Sequence, residues 1–273
     1  MTDRYAVIGH PIAHSKSPQI HAAFAQATGQ DLSYTAIDSP LEGFADTVAA
    51  FRAGGGRGVN VTLPFKLEAC ALATDPSEAA RLAGAANALK FEDERIWAEN
   101  FDGVGLVNDI QVNLGHALRG RRVLVLGAGG ATRGALLPLA AQGPAVLVVA
   151  NRSADKAHAL RTDFAAHAAL QTGGYADLAG ESFDVVINAT SAGLNNETLP
   201  LPPGLFAPGA LAYDMVYGKG LTPFLRQAQQ AGVTALADGV GMLVEQAAEA
   251  FVWWRGVRPT TAAVIRSLSV PLV

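Results

Sequence analysis

Residues 122–134 read Arg122-Val123-Leu124-Val125-Leu126-Gly127-Ala128-Gly129-Gly130-Ala131-Thr132-Arg133-Gly134. The four consecutive apolar residues are what a strand buried on both faces of a parallel sheet requires. The glycines behind them let the chain turn tightly, and a helical pattern follows. A pyrophosphate can approach such a backbone closely and meet the N–H groups and dipole of the helix. Thr132 stands where strict G-x-G-x-x-G would have its third glycine. The strand–turn–helix context still predicts a dinucleotide site on Gly127, Ala128, Gly129, Gly130 and Ala131.

The next apolar run, 145–150, ends in Asn151-Arg152-Ser153, with Lys156 one turn on. A strand tip that recognises NAD usually carries an acidic residue for the ribose 2′-hydroxyl. Here two cations replace it, and they suit a 2′-phosphate. Ser153 also reads as an ordinary helix start, but beside the glycine loop the phosphate reading prevails. NADP (as NADPH) is therefore expected over NAD, held by Asn151, Arg152, Ser153 and Lys156. Further strands are expected at 183–189, 210–215 and 234–237, making a doubly wound sheet. The end of the first of these, Asn188 with Thr190 and Ser191, would line the crevice.

Before this lobe the pattern predicts strands at 5–8, 33–37 and 58–62 and helices at 18–28 and 41–53. Leu41, Phe44, Val48 and Phe51 recur at helical spacing, and Gly54-Gly55-Gly56 stops the second helix. A hairpin-like pair is expected near 88–91 and 96–100. Beyond Gly239 the chain is helical again, at about 242–254 and 260–268.

A chain of 273 residues is long for one domain, and 50% hydrophobic with 16% charged residues suits a packed enzyme. The net charge of −4 offers no general attraction to nucleic acid or anionic lipid. Cys70, the single cysteine, excludes an internal disulfide. Six scattered histidines show no metal-ligand spacing, so no metal is expected. Without a signal-peptide layout or an uninterrupted apolar span, a cytoplasmic location is expected, with no membrane or nucleic-acid partner. The expected state is monomer or homodimer.

Two stretches of the first lobe carry candidate chemistry. In His14-Ser15-Lys16-Ser17-Pro18, Ser17 reads as an N-cap with Pro18 at the first helical position. That leaves Ser15 unexplained, and two hydroxyls two apart can also bind a carboxylate or polyol. In Gly58-Val59-Asn60-Val61-Thr62-Leu63-Pro64-Phe65-Lys66, Lys66 falls in the first turn of a helix expected to start at Pro64. The helix dipole disfavours a cation there, so Lys66 is an acid/base candidate as well as an ordinary surface lysine.

Together these stretches resemble shikimate dehydrogenase nearly end to end. The resemblance rests on Tyr5 to Pro18, on Asn60 to Lys66, and on Asn100-Phe101-Asp102-Gly103. It continues through the glycine loop, Asn151-Arg152-Ser153, Asn188-Ala189-Thr190-Ser191, and Gly239-Val240-Gly241-Met242-Leu243-Val244-Glu245-Gln246. It implies an α/β fold of two lobes: a substrate-binding domain at 1–103, a Rossmann-like NADP-binding domain at 104–238, and helices at 239–273 returning to the first. It implies NADPH-dependent reduction of 3-dehydroshikimate to shikimate, a small-molecule substrate, on the pair Lys66 and Asp102. By the same resemblance Ser15 and Ser17 bind the substrate carboxylate, and Thr62, Asn87, Asp102 and Gln246 its hydroxyls. Tyr217 lies near carboxylate and nicotinamide, with Met215, Gly239 and Met242 on the cofactor side.

This sequence departs from the family's usual pattern at Ala88 and Phe101, each in place of threonine, and at Glu245, where a neutral or imidazole side chain is common. Two rivals stand beside this reading. An NAD-using quinate/shikimate dehydrogenase would need another strand tip than Asn151-Arg152. A non-catalytic NADP-binding sensor would not need Lys66, Asp102 and the serine pair together.

Overall fold

The computed structural model describes residues 2–192, 197–218 and 220–272. The chain divides into two compact units, one of residues 1–105 with 244–264 and one of residues 106–243 with 265–273. It passes between them within helices rather than along a linker. Each unit has its own six-stranded sheet.

In the first unit the elements are β1 (Asp3–Gly9), α1 (Ser17–Thr28), β2 (Leu32–Asp38), α2 (Phe44–Ala53), β3 (Gly56–Val61), α3 (Lys66–Leu72), β4 (Asp75–Pro76), α4 (Glu78–Ala83), β5 (Ala88–Glu92) and β6 (Arg95–Glu99), followed by the start of α5 (Asp102–Asn108). The strand order is β2-β1-β3-β5-β6-β4. β1 runs parallel to β2 and β3, while β5 and β6 form an antiparallel hairpin joined to β3. Phe44, Val48 and Phe51 of α2 pack with Ile8, Val59, Val61 and Phe65 in one apolar cluster. Burying each such large side chain contributes roughly 1.5–3 kcal/mol. Leu41 is not part of this face and is largely exposed. The helix begins at Phe44 because the chain first turns at Gly43, whose N–H donates to Pro40 O at 3.0 Å.

In the second unit β7 (Arg122–Leu126), α6 (Gly130–Ala141), β8 (Val146–Ala150), α7 (Ala154–Asp163), β9 (Leu170–Gly173), β10 (Phe183–Asn188), β11 (Phe206–Asp214), α8 (Pro223–Gln230) and β12 (Ala235–Asp238) build an all-parallel sheet. Its order, β12-β11-β10-β7-β8-β9, places the strand before the glycine loop at the centre, where the winding reverses. That is the doubly wound Rossmann arrangement, with the ligand crevice outside the strand carboxyl ends. β9 escapes the sequence pattern because it is four residues long, lies at the sheet edge and reads Leu-Gln-Thr-Gly.

The chain continues into α9 (Val240–Arg255) and α10 (Ala262–Leu268). Within the first unit, the far half of α9 docks through aromatic rings. Trp254 stacks on Tyr5 at 4.8 Å and its Nε1–H donates to Leu89 O at 3.1 Å. Gly58 makes this possible, since a Cβ there would lie 2.6 Å from the indole nitrogen. Among the described residues no helix is long and apolar enough to cross a membrane.

Beneath this docking site sits a buried polar cluster. Asn60 Nδ2 donates to Asn87 O at 3.2 Å, which leaves Asn60 Oδ1 as the acceptor for Tyr34 OH at 2.7 Å and His21 Nε2 at 3.1 Å. His21 must therefore carry its proton on Nε2. It lies flat against Tyr34, ring centroids 4.1 Å apart, and burial pushes its pKa down to about 3. An unfolded histidine titrates near ~6.5, so between those values the unfolded chain binds a proton that the folded chain refuses. Stability contributed by neutral His21 is thus complete above ~6.5 and is lost as pH falls towards ~3, by at most about 1.4 kcal/mol per pH unit. His21→Gln, which keeps an N–H donor but cannot ionise, should flatten the fall of the urea midpoint between pH 6 and 4. An unaltered slope would show that other groups govern acid unfolding.

Candidate active site

In the first unit, Lys66 and Asp102 meet. Lys66 Nζ donates to Asp102 Oδ2 at 2.6 Å, with the lysine side chain 27% and the aspartate side chain 13% exposed. Lys66 is the first residue of α3, two residues after the start anticipated at Pro64, so it sits directly at the helix N-terminus. Its own carbonyl accepts from Ala86 N at 2.8 Å, which anchors the loop leading to Asn87.

Asn87 organises the rest. Its Nδ2 donates to Asp102 Oδ1 at 2.8 Å and to Gln246 Oε1 at 3.1 Å, while its Oδ1 accepts from Phe101 N at 2.9 Å. Asn100 Oδ1 accepts from Asp102 N at 3.1 Å, fixing the first turn of α5. Both oxygens of Asp102 therefore have donors, and the carboxylate is held in one orientation. Thr62 follows β3 directly, its methyl against Gly9, where a Cβ would lie 2.5 Å away.

Ser17 is not the N-cap of α1. The helix begins at Ser17 itself, Lys16 holds the cap position, and Ser15 Oγ accepts from Ser17 N at 3.3 Å. Pro18 therefore stands at the second helical position instead of the first. Ser17 is buried with its hydroxyl facing the Tyr34 phenol; burial raises the Tyr34 pKa well above its usual value, and the Ser17 hydroxyl offsets this in part. Ser17 is thereby linked through Tyr34 and Asn60 to the Asn87 backbone.

In the second unit the glycine loop opens onto a cavity of about 480 Å³ lined by Gly127, Ala128, Gly129, Gly130, Ala131, Asn151, Arg152, Ser153, Lys156, Tyr175, Thr190 and Ser191 among others. Gly127 adopts φ 108°, and a Cβ there would lie 3.0 Å from Thr190 Cγ2. Thr132, in the place of the third glycine, is fully buried and its hydroxyl donates to Gly127 O at 2.9 Å, closing the turn. These bare backbone groups with two cations at one wall fit a dinucleotide phosphate.

Asn188 does not reach the cavity wall. It is fully buried, donates to Asp214 Oδ1 at 3.1 Å and accepts from Thr190 N at 3.1 Å and Thr190 Oγ1 at 2.7 Å. It holds Thr190 from beneath. Met215, Gly239 and Met242 form a separate group at the ends of β11 and β12: a Cβ on Gly239 would lie 2.4 Å from Met215 O, and Met242 N donates to Tyr213 OH at 3.3 Å. Tyr213 in turn donates to buried Asp109 at 2.7 Å. Tyr217 is 42% exposed beside this group. Tyr34, Tyr213 and Asp109 had no signature in the chain, because a single polar residue within an apolar strand or helix has no spacing to betray it.

The family models matched by the chain are described as shikimate dehydrogenase substrate binding domain over residues 7–89, shikimate / quinate 5-dehydrogenase over 110–196, and shikimate 5'-dehydrogenase C-terminal domain over 239–268. Shikimate dehydrogenase (NADP(+)) of Dechloromonas aromatica is 59% identical over 273 residues, all of both chains. The chain belongs to the shikimate dehydrogenase family. Among solved structures, the Ael1 enzyme from Pseudomonas putida is 60% identical, with TM-score 0.95 over 100% of both chains. Shikimate 5-dehydrogenase from Thermus thermophilus, in complex with NADP(H) and shikimate, is 35% identical, with TM-score 0.86 over 98% of both chains.

The three departures from the usual pattern of the shikimate dehydrogenase family have distinct settings. Phe101 keeps its backbone bond to Asn87 and turns its ring edge-on to Trp253 at 5.7 Å. Ala88 is fully buried in β5, and Glu245 is buried on α9. Phe101 and Ala88 thus place apolar side chains around Asn87.

Proposed function

We propose that this chain reversibly reduces 3-dehydroshikimate to shikimate with NADPH, a step of chorismate and aromatic amino acid biosynthesis. The observation that carries the reading is the Lys66–Asp102 pair at 2.6 Å, oriented by Asn87. The cofactor, when bound, supplies the hydride. The Asn151–Lys156 wall and the glycine loop would hold its phosphates, with Met215, Gly239 and Met242 on its nicotinamide side.

Protonated Lys66 Nζ stabilises the charge that develops on the ketone oxygen and delivers the proton there. In the reverse direction neutral Nζ accepts the proton from the alcohol. Asp102 keeps the ammonium aimed and accepts from a neighbouring substrate hydroxyl, while Thr62, Asn87 and Gln246 bind the others. Ser15 and Ser17 bind the carboxylate, and Tyr217 lies near it. A sensor would have no use for a lysine held at a helix N-terminus by an oriented carboxylate.

The deciding assay is shikimate oxidation with NADP against NAD, and with quinate in place of shikimate. Shikimate with NADP should give the highest kcat/KM, and a preference for quinate or NAD would replace this reading with its nearest rival. For the serine pair, Ser15→Ala and Ser17→Ala should each raise KM for shikimate while changing kcat little. Any stability loss in Ser17→Ala then comes from its buried contact with Tyr34 and not from a lost N-cap, because Ser17 caps nothing. An unchanged KM in both variants would remove the carboxylate role.

A further inference from the structure

We propose that Asp238 is a positioning residue for hydride transfer, joining the segment that carries Tyr217 to the segment that carries Met242. This rests on the reading that Tyr217, Gly239 and Met242 flank the nicotinamide. Asp238 is the last residue of β12 and pairs in register with Asp214, the last residue of β11. Asp238 Oδ2 accepts from Gly218 N and Oδ1 from Val240 N, each at 3.2 Å. One carboxylate thus takes a backbone N–H from directly beyond Tyr217 and another from the first residue of α9. The same two segments touch through their backbones, Gly239 N donating to Val216 O at 3.2 Å.

The arrangement runs against local stability. Like charges opposite each other on adjacent strands repel. Burial raises the pKa of both carboxyls, and the charge of Asp238 raises that of Asp214 further. Asp214 is stabilised by three donors, Thr222 Oγ1 at 2.6 Å and Asn188 Nδ2 and Val216 N at 3.1 Å. A second carboxylate beside it adds repulsion that a neutral residue would avoid. What it gains is two acceptor oxygens facing two N–H groups, which asparagine, with one acceptor, cannot offer. Local rules broken in this way concentrate at functional positions.

The test compares D238A and D238N with the wild-type enzyme in NADP-dependent shikimate oxidation. Three readouts are kcat, the primary deuterium isotope effect with shikimate deuterated at the oxidised carbon, and the inhibition constant of adenosine 2′,5′-bisphosphate. That inhibitor reads the phosphate end of the cofactor site and is blind to the nicotinamide end. D238A should lower kcat at least about tenfold and raise the isotope effect, with inhibitor affinity within about twofold and D238N intermediate. A kcat within about threefold of wild type, or a kcat loss matched by weaker inhibitor binding, would overturn the proposal. If D238A does not fold, D238N with a native thermal midpoint decides by the same criteria. Tyr217→Phe and Met242→Ala separate the two ideas. If neither alters kcat or KM, the nicotinamide reading fails; if they do and D238A does not, only the role of Asp238 fails.

Discussion

Lys66→Ala is expected to lower kcat by about 10²–10⁴ while leaving the dissociation constant of shikimate within a few-fold of wild type. The lysine side chain donates to Asp102 Oδ2 at 2.6 Å, and its charge stands at the N-terminus of α3. Neither feature contributes much to packing, since the side chain is part-exposed and lies outside the apolar cluster of the first unit. Removing it deletes the proton source and the charge opposite the developing alkoxide, both of which matter in the transition state rather than the ground state. Asp102 keeps its bond from Asn87 Nδ2, so the pocket should hold its shape. Stopped-flow turnover beside equilibrium binding makes the comparison. A variant retaining more than about a tenth of kcat would remove Lys66 from the acid/base role.

The second large effect concerns cofactor choice. Replacing Arg152 and Lys156 together by alanine should shrink the NADPH-over-NADH preference at least about tenfold, or about 1.4 kcal/mol. Both side chains line the cavity beyond β8, and both are exposed enough for solvent to screen them. NADH has no 2′-phosphate to lose, so its kcat/KM should move little. KM for shikimate should also hold, because the groups proposed for the substrate, Tyr217 apart, belong to the other unit. Steady-state kinetics with both cofactors gives the answer. An undiminished preference would mean that Tyr175 or the loop backbone makes the choice.

The parts of the fold that could be read along the chain are those where many residues repeat one instruction. A four-residue apolar run entering Gly127-Ala128-Gly129-Gly130 specifies a buried strand, a tight turn and a helix start at once, and β7 and α6 follow it. Helical spacing likewise marked Phe44, Val48 and Phe51, which share one buried cluster. Boundaries were less legible. The starts of α2 and α3 depended on Gly43 and on the turn over 62–65, where one hydrogen bond outweighs propensity. β9 was illegible because an edge strand of four residues buries too little to need an apolar run.

The chain alone determined which residue types were available for chemistry: a lysine at a helix start, two serines before a helix, a glycine turn, and cations instead of a carboxylate at a strand tip. Only the tertiary structure decided what those groups touch. Asn87 reaches Gln246 across 159 positions, Tyr34 reaches Asn60 across 26, and Asp238 reaches Gly218 across 20. Such contacts have no periodicity, because a hydrogen bond between distant residues is set by where sheet register and helix docking deliver two atoms. The same cause moved Ser17 from cap to buried partner of Tyr34: Pro18 is compatible with either of the first two helical positions, and the packing of α1 chose the second.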